Sequence, residues 1–197
     1  ESIYYACGES VDKIDMMPQV ESVKDKYEAL YLTEYVDEFT IITLAEYEGK
    51  KFVNVSSENT DISTEEEKKH INEINDNNKD MLSSMKDLLG DSVKEVKFTS
   101  KLKNHPVCLT TEGEVSTSME KVINSMPTGE KIKASEVLEI NSNHKIANKL
   151  KELYKDNKEE FEKYTKVIYF EARLIEGLPI DNPTEMSNLM CDIMANK

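Results

Sequence analysis

The residues best able to do nucleophilic chemistry lie near the start of the chain, where Cys7, Gly8 and Ser10 follow a short apolar run. In an α/β enzyme, a turn at the end of a strand is a common position for a nucleophile. No base accompanies them in the sequence, so a small buried residue is the simpler interpretation of Cys7. A regulatory or catalytic α/β domain that uses the turn at residues 7–10 remains the alternative function.

The histidines and glycines do not form a recognisable metal or phosphate site. His70, His105 and His144 are isolated and lack the paired spacing of a structural metal site. Neither of the common glycine-rich phosphate loops occurs among the 6 glycines. We therefore expect no catalytic residue, no metal and no cofactor in this stretch. His144 instead fits a helix start together with Asn141 and Asn143, because such side chains cap exposed backbone amides.

The charge balance limits the possible partners. The chain has 39 acidic and 25 basic residues, a net charge of -14. Phosphate groups bind lysine and arginine patches, so neither nucleic acid nor an anionic membrane is an expected partner. The 3 cysteines have no paired spacing, which favours a reducing compartment, the cytoplasm. No apolar run approaches the roughly 18 residues of a membrane span.

The predicted elements divide the chain after residue 62 and give an α+β fold. Residues 1–62 form a small α/β/α subdomain, and residues 63–197 form an α+β domain with a three-stranded sheet, a long helix and a C-terminal helical bundle. In the first part we predict strands at 3–7, 30–32 and 52–55, and a helix at 38–47 that Gly49 ends. In the second part we predict a long helix at 64–89, strands at 93–99, 107–111 and 137–140, and helices at 115–126, 144–157, 159–176 and 183–195.

Two apolar helical faces could bind a partner. The first recurs at the spacing of one helix face and consists of Val115, Met119, Val122, Ile123 and Met126. It could be an ordinary core face or an adaptable, methionine-rich binding surface. The second lies on the last two helices and could cover the chain's own sheet or close against a second copy about a two-fold axis. It includes Ile168, Ala172, Leu174, Ile175, Met186, Leu189, Met190 and Ile193.

Several short motifs, in order along nearly the whole chain, resemble one family. Each is weakly specific alone, and their order and spacing together carry the resemblance. They are Tyr35-Val36-Asp37-Glu38-Phe39, Glu46-Tyr47-Glu48-Gly49-Lys50-Lys51-Phe52, Leu88-Leu89-Gly90-Asp91, Pro106-Val107-Cys108-Leu109, Leu138-Glu139-Ile140-Asn141 and Leu174-Ile175-Glu176-Gly177. The family is the ninety-kilodalton heat-shock chaperones, most closely their bacterial branch, the high-temperature protein G chaperones.

The resemblance implies a position and a function. Residues 1–62 would end the middle domain, and residues 63–197 would be the C-terminal dimerisation domain. The last two helices would build a four-helix bundle with a second copy. The apolar face on these two helices would then be the homodimer interface. Unfolded client proteins would contact Phe39 and the apolar face that runs from Val115 to Met126. The full-length protein would bind ATP and magnesium upstream, so this stretch should not hydrolyse ATP.

The chain's two ends also carry expectations. It starts with Glu1 rather than Met, and a strand-like run begins at Ser2, which predicts a piece of a longer protein. Eukaryotic cytosolic members of the family end in an acidic tail that recruits helical-repeat co-chaperones. This chain ends Met194-Ala195-Asn196-Lys197, so we expect no such docking and a bacterial origin.

Overall fold

The computed structural model describes residues 2–34, 36–60, 62–127 and 131–195. Its strands are β1 (Ser2–Cys7), β2 (Ala29–Leu32), β3 (Glu46–Tyr47), β4 (Lys50–Asn54), β5 (Glu95–Thr99), β6 (Val107–Glu112) and β7 (Ser135–Asn141). Its helices are α1 (Val11–Asp15), α2 (Pro18–Lys24), α3 (Asp37–Leu44), α4 (Glu65–Asn77), α5 (Lys79–Leu89), α6 (Thr117–Ser125), α7 (Lys145–Asp156), α8 (Lys158–Ile175) and α9 (Pro183–Ala195). This mixture confirms the predicted α+β class. No helix among the described residues is long and apolar enough to cross a membrane.

The chain forms two compact units. The first unit contains residues 1–62 and 110–135, and the second contains residues 63–109 and 136–197. The segment 110–135 therefore groups with the first unit, whereas the sequence placed it in the second domain. Its backbone explains this, because Thr111 donates its amide to Ser56 and accepts from the amide of Glu58, each at 3.0 Å. The domain division after residue 62 stays a prediction.

The first unit is built on a four-stranded sheet in the order β2-β1-β4-β3. Strand β1 pairs in parallel with both β2 and β4, and β3 is antiparallel to β4. The sheet covers a small apolar cluster whose buried members are Ala6, Ile14, Val20, Val23 and Val55.

The predicted helix over 38–47 is wrong at its C-terminal end. Helix α3 ends at Leu44, because Ala45 adopts a positive φ of 60°. Glu46–Tyr47 then form strand β3, which turns through Glu48 and Gly49 into β4. Gly49 has a φ of 75°, a value that suits glycine at a tight hairpin turn. Glycine therefore marks the hairpin and not the helix end.

The second unit is built on the three-stranded sheet that the sequence predicted, in the order β5-β7-β6. Strands β5 and β7 are parallel, with Phe98 opposite Ile140. A large apolar cluster extends from the strands to helices α5, α7 and α8 and includes Met85, Leu150 and Phe161. The chain itself therefore covers much of the apolar surface of these helices.

The predicted long helix at 64–89 is two helices. It starts as expected, because Thr64 and Glu67 form a reciprocal capping box. It breaks at Asn78, whose φ of -119° lies outside the helical range. Just before the break, the Asn75 side chain accepts from the amide of Phe98 at 2.7 Å and donates to its carbonyl at 3.0 Å. These two hydrogen bonds fix the end of α4 to β5.

Candidate functional site

A cleft of about 280 Å³ opens in the first unit. Apolar side chains of Ile42, Phe52 and Val53 line it, and so do the polar side chains of Glu38 and Glu114. Helix α3, strand β4 and the segment that leads into α6 supply these residues. The segment before α6 lies more than 50 positions after β4 in the sequence, so no local sequence motif could predict the cleft.

Glu38 is the central polar residue of the cleft. Only 5% of its surface is exposed. The Asn54 side-chain amide donates to its Oε1 at 2.8 Å, and the Ser116 hydroxyl donates to its Oε2 at 2.7 Å. The Cys7 thiol also donates to this carboxyl group. Because all three partners donate, the arrangement suits an ionised carboxylate.

The electrostatics of Glu38 are unusual for a buried acid. Burial raises its pKa, and the hydrogen bonds from Ser116, Asn54 and Cys7 offset part of that rise. Within the described residues, Glu38 forms no ion pair with a lysine or arginine. Burial and the Glu38 charge also raise the pKa of the Tyr5 hydroxyl, so this group stays neutral. Within the described residues, the Glu38 carboxyl group is thus held by neutral hydrogen-bond donors.

Ser116 connects this carboxylate to helix α6. Its hydroxyl donates to Glu38 and accepts from the amide of Met119 at 3.0 Å, so it caps the first turn of α6. At the other end of the helix, the Asn124 side chain bonds both backbone groups of Ile132, at 2.8 and 2.9 Å. Helix α6 is therefore held at both ends and linked directly to α3.

The residues predicted to contact clients lie on these two helices or directly beside the ends of α6. Phe39 of α3 is half-buried, next to Glu38. Val115, Met119, Val122 and Ile123 are half-buried, and Met126 is 49% exposed. Helix α6 contains no buried apolar residue, so it is neither a closed core helix nor a fully free one.

Sequence reasoning missed other exposed apolar residues of the same region. Ile42 and Leu44 of α3 are exposed, and so are Val36 before the helix and Tyr47 in β3. The signal for them was the density of apolar residues at positions 39–45, which is too high for an exposed helix. The pattern alone could not tell a buried face from an accessible one.

The predicted dimer residues divide into two groups. Ile168 and Ala172 are buried in the second unit's own core, so a place for them in the dimer interface stays a prediction. Leu174 and Ile175, at the end of α8, are 52% and 37% exposed. The α9 residues are half-buried, and α9 contains no buried residue. These α9 residues are Met186, Leu189, Met190 and Ile193.

The candidate nucleophiles have structural roles. Burial and the nearby Glu38 carboxylate raise the pKa of the Cys7 thiol, which opposes formation of a reactive thiolate. The Ser10 hydroxyl caps helix α1 by accepting from the amide of Lys13 at 3.3 Å. Both observations argue against a catalytic use of the turn at residues 7–10. His144 caps α7, as predicted, by accepting from the amide of Ile146 at 3.2 Å. In the described part of the chain, no group of three or more His, Cys, Asp or Glu side chains could hold a metal ion.

A buried ion pair in the second unit was also missed. Arg173 donates to both carboxylate oxygens of Glu136, at 3.0 and 3.2 Å, and to the Tyr169 hydroxyl at 3.0 Å. Its Nε donates to the Pro179 carbonyl at 3.0 Å. The pair therefore fixes the end of α8, and the turn that follows it, to strand β7. The available signal was composition, since Arg173 is the single arginine in the sequence.

Comparison with known proteins places this chain in a family. The model of the Hsp90 protein family matches residues 1–197. The chain is 49% identical over 193 residues to chaperone protein HtpG of Clostridium botulinum (strain 657) and 47% identical to that of Bacillus subtilis (strain 168). Chaperone protein HtpG of Clostridium perfringens (strain 13) is 49% identical. Each comparison covers 98% of this chain.

The chain therefore belongs to the Hsp90 family, which confirms the family resemblance read from the sequence motifs. It spans 30–31% of the length of these HtpG relatives.

Proposed function

We propose that this chain is the C-terminal part of a bacterial Hsp90-type chaperone that acts in the cytoplasm. In this proposal it supplies homodimerisation and a holding surface for unfolded or partly folded client proteins. ATP and magnesium would bind elsewhere in the full-length protein, and this stretch would have no ATPase activity of its own. The observation that carries the proposal is the accessible apolar surface on α3 and α6. An unfolded client exposes apolar side chains, and an accessible apolar surface on a chaperone can bind them.

The client surface is supported by how these helices are built. Helix α6 covers its apolar face only partly, and α3 leaves Ile42 and Leu44 exposed. The hydrogen bond from Ser116 to Glu38 keeps the two helices together, so their apolar residues can act as one surface. Methionine suits such a surface, because its flexible side chain adapts to different partners.

The dimer is supported by the ends of α8 and α9. Leu174 and Ile175 are exposed, and the apolar residues of α9 are half-buried in the single chain. Stable homodimers commonly bury roughly 2,000 Å² or more of largely apolar surface. A two-fold axis would repeat the client surface, so weak contacts to one client could add.

Sedimentation velocity on the 197-residue chain tests the dimer. Leu174→Asp and Met190→Asp should each sediment as folded monomers, because an unpaired charge in an apolar interface costs several kcal/mol, about 3–5. Val11→Asp is the matched control, since Val11 is 56% exposed and lies in the first unit. If both interface variants sediment as dimers at low micromolar concentration, the interface assignment is wrong.

The same proteins test client holding in a light-scattering assay of a heat-denatured reporter enzyme. Phe39→Ala should keep the dimer and protect the reporter less well than the parent chain. The monomeric variants should also protect poorly, because each monomer presents one surface instead of two. Full protection by Phe39→Ala and by both monomeric variants would contradict the holding function.

A further inference from the structure

Glu38 is a buried charge without a charged partner. Its hydrogen-bond partners, Asn54, Ser116 and Cys7, are neutral, and no lysine or arginine of the described residues pairs with it. Burying an ionised carboxylate is costly unless an opposite charge compensates it. Hydrogen bonds recover part of this cost and leave the negative charge in place. A cation supplied from outside the chain would therefore be stabilised at this position.

The surroundings of Glu38 favour one kind of cation. A second carboxylate, the exposed Glu114, lines the same cleft, and among the described residues no lysine or arginine lines it. Ile42, Phe52 and Val53 make part of the lining apolar. At about 280 Å³ the cleft is smaller than the roughly 300–1,000 Å³ of typical small-molecule sites, and it suits a single side chain. Lysine and arginine combine an aliphatic stem with a charged head, which matches apolar walls around carboxylates.

We propose that this cleft receives a lysine or arginine side chain of the bound polypeptide, with its stem against Ile42, Phe52 and Val53 and its charged head at Glu38 and Glu114. The inference rests on the proposed client-holding function and adds a preference to it. Apolar client residues would contact α3 and α6, and a basic residue beside them would enter the cleft. The charge of the unit supports this choice, since residues 1–62 and 110–135 together contain 18 acidic and 8 basic residues.

Fluorescence anisotropy with three labelled peptides tests the preference. The peptides share a sequence of leucine, phenylalanine and serine around one central residue, which is lysine, Nε-acetyl-lysine or norleucine. All three have similar stems, and only lysine has the charge. The 197-residue chain should bind the lysine peptide about tenfold more tightly than the other two, because a charge-assisted hydrogen bond adds roughly that factor. The preference should shrink at high salt.

Matched carboxamide variants locate the effect. Glu38→Gln keeps the size of the side chain and should bind all three peptides within about twofold of one another. Glu114→Gln is exposed, cannot disturb the buried network, and should reduce the preference by a smaller factor. Glu46→Gln removes the same charge from an exposed position in β3 outside the cleft and should keep the full preference.

The outcomes separate this inference from the function on which it rests. Equal binding of the three peptides to the parent chain would overturn the inference and leave client holding intact. An unchanged preference in both Glu38→Gln and Glu114→Gln would overturn it as well. Failure of the chain to bind any of the peptides would overturn client holding and the inference together. If Glu38→Gln melts at a much lower temperature, Glu114→Gln and the salt dependence decide the question.

Discussion

The two units bury acidic side chains in opposite ways. In the second unit, Glu136 faces the Arg173 guanidinium at 3.0 Å, and Glu139 lies 3.7–3.8 Å from the ammonium groups of Lys97 and Lys101. In the first unit, Glu38 has neutral donors only among the described residues. An acid with a lysine or arginine partner forms an ion pair that fixes two secondary-structure elements to each other. A carboxylate held by neutral donors has no opposite charge beside it, so a cation from a ligand could pair with it.

The two units also differ in the size of their buried apolar clusters. Among the described residues, the buried apolar cluster of the second unit contains 19 residues, whereas that of the first unit contains 5. Helix α5 buries Met81, Met85 and Leu89, whereas α6 buries no apolar residue. Regions with few buried apolar contacts open at lower free energy, and binding surfaces are often drawn from them. The first unit therefore has the properties of a binding element and the second those of a support.

The largest expected effect is at the buried ion pair of the second unit. Arg173→Met should lower the free energy of unfolding by about 3–5 kcal/mol, because Glu136 would remain buried without its cation. The turn after α8 would also lose the hydrogen bond from Arg173 to Pro179. Urea denaturation followed by circular dichroism measures the change.

The double variant Arg173→Met with Glu136→Met is the control for the ion pair. It removes both charges, so it should recover much of the loss, since an apolar pair of similar size can replace a buried ion pair. If the single variant is as stable as the parent chain, the pair adds nothing and the contrast with Glu38 fails.

A smaller effect should separate the two amphipathic helices. Met85→Glu places a carboxylate where no surface is exposed and should cost about 3 kcal/mol or more. Ile123→Glu places the same group on the half-buried face of α6 and should cost about 1 kcal/mol. Thermal melts of both variants give the comparison, and the reporter assay shows whether Ile123→Glu weakens client holding. Equal losses of stability would mean that α6 is a core helix like α5.

The sequence was a good guide to elements whose apolar pattern is regular. Strands β5, β6 and β7 and helices α7, α8 and α9 lie within a few residues of their predicted bounds. The predicted bounds were wrong where a backbone conformation, and not the apolar pattern, ends a helix. Asn78 breaks the long helix through its backbone angles, and the turn at Ala45 creates strand β3. Neither residue is a strong helix breaker by type, so composition could not reveal these changes.

The candidate site was only partly predictable, for a related reason. Periodicity identified the apolar face of α6, and its residues are accessible in part. It could not show that Ile168 and Ala172 face inward, because one stripe on α8 serves both the core and the surface. Glu38 had no local signal at all, since its partner Ser116 lies 78 positions away. Contacts over such distances become visible only once the chain is folded.

Glu38→Gln should change the free energy of unfolding least at neutral pH. It is also the sharpest test of the contrast between Glu38 and the paired acids of the second unit. Burial raises the pKa of Glu38 above its ordinary value of 4.5, so the folded chain holds this proton more tightly than the unfolded chain does. The ionised group therefore costs stability at neutral pH, and that cost disappears as the pH falls through the raised pKa. Glutamine never ionises, and at pH 7 it exchanges this cost for weaker hydrogen bonds, a net change within about 1 kcal/mol.

The sign of the pH dependence follows. Between pH 7 and 4.5 the parent chain should gain stability relative to Glu38→Gln, and below 4.5 the difference should level off. Tyr5 and Cys7 do not disturb this comparison, because their raised pKa values keep both groups neutral throughout that range. Paired urea titrations at several pH values measure it, with Glu46→Gln as the exposed control. An acid whose ion-pair partner favours the ionised form would give the opposite sign. If the parent chain instead loses stability relative to Glu38→Gln on acidification, the fold favours the ionised form of Glu38, and the contrast with a paired acid is wrong.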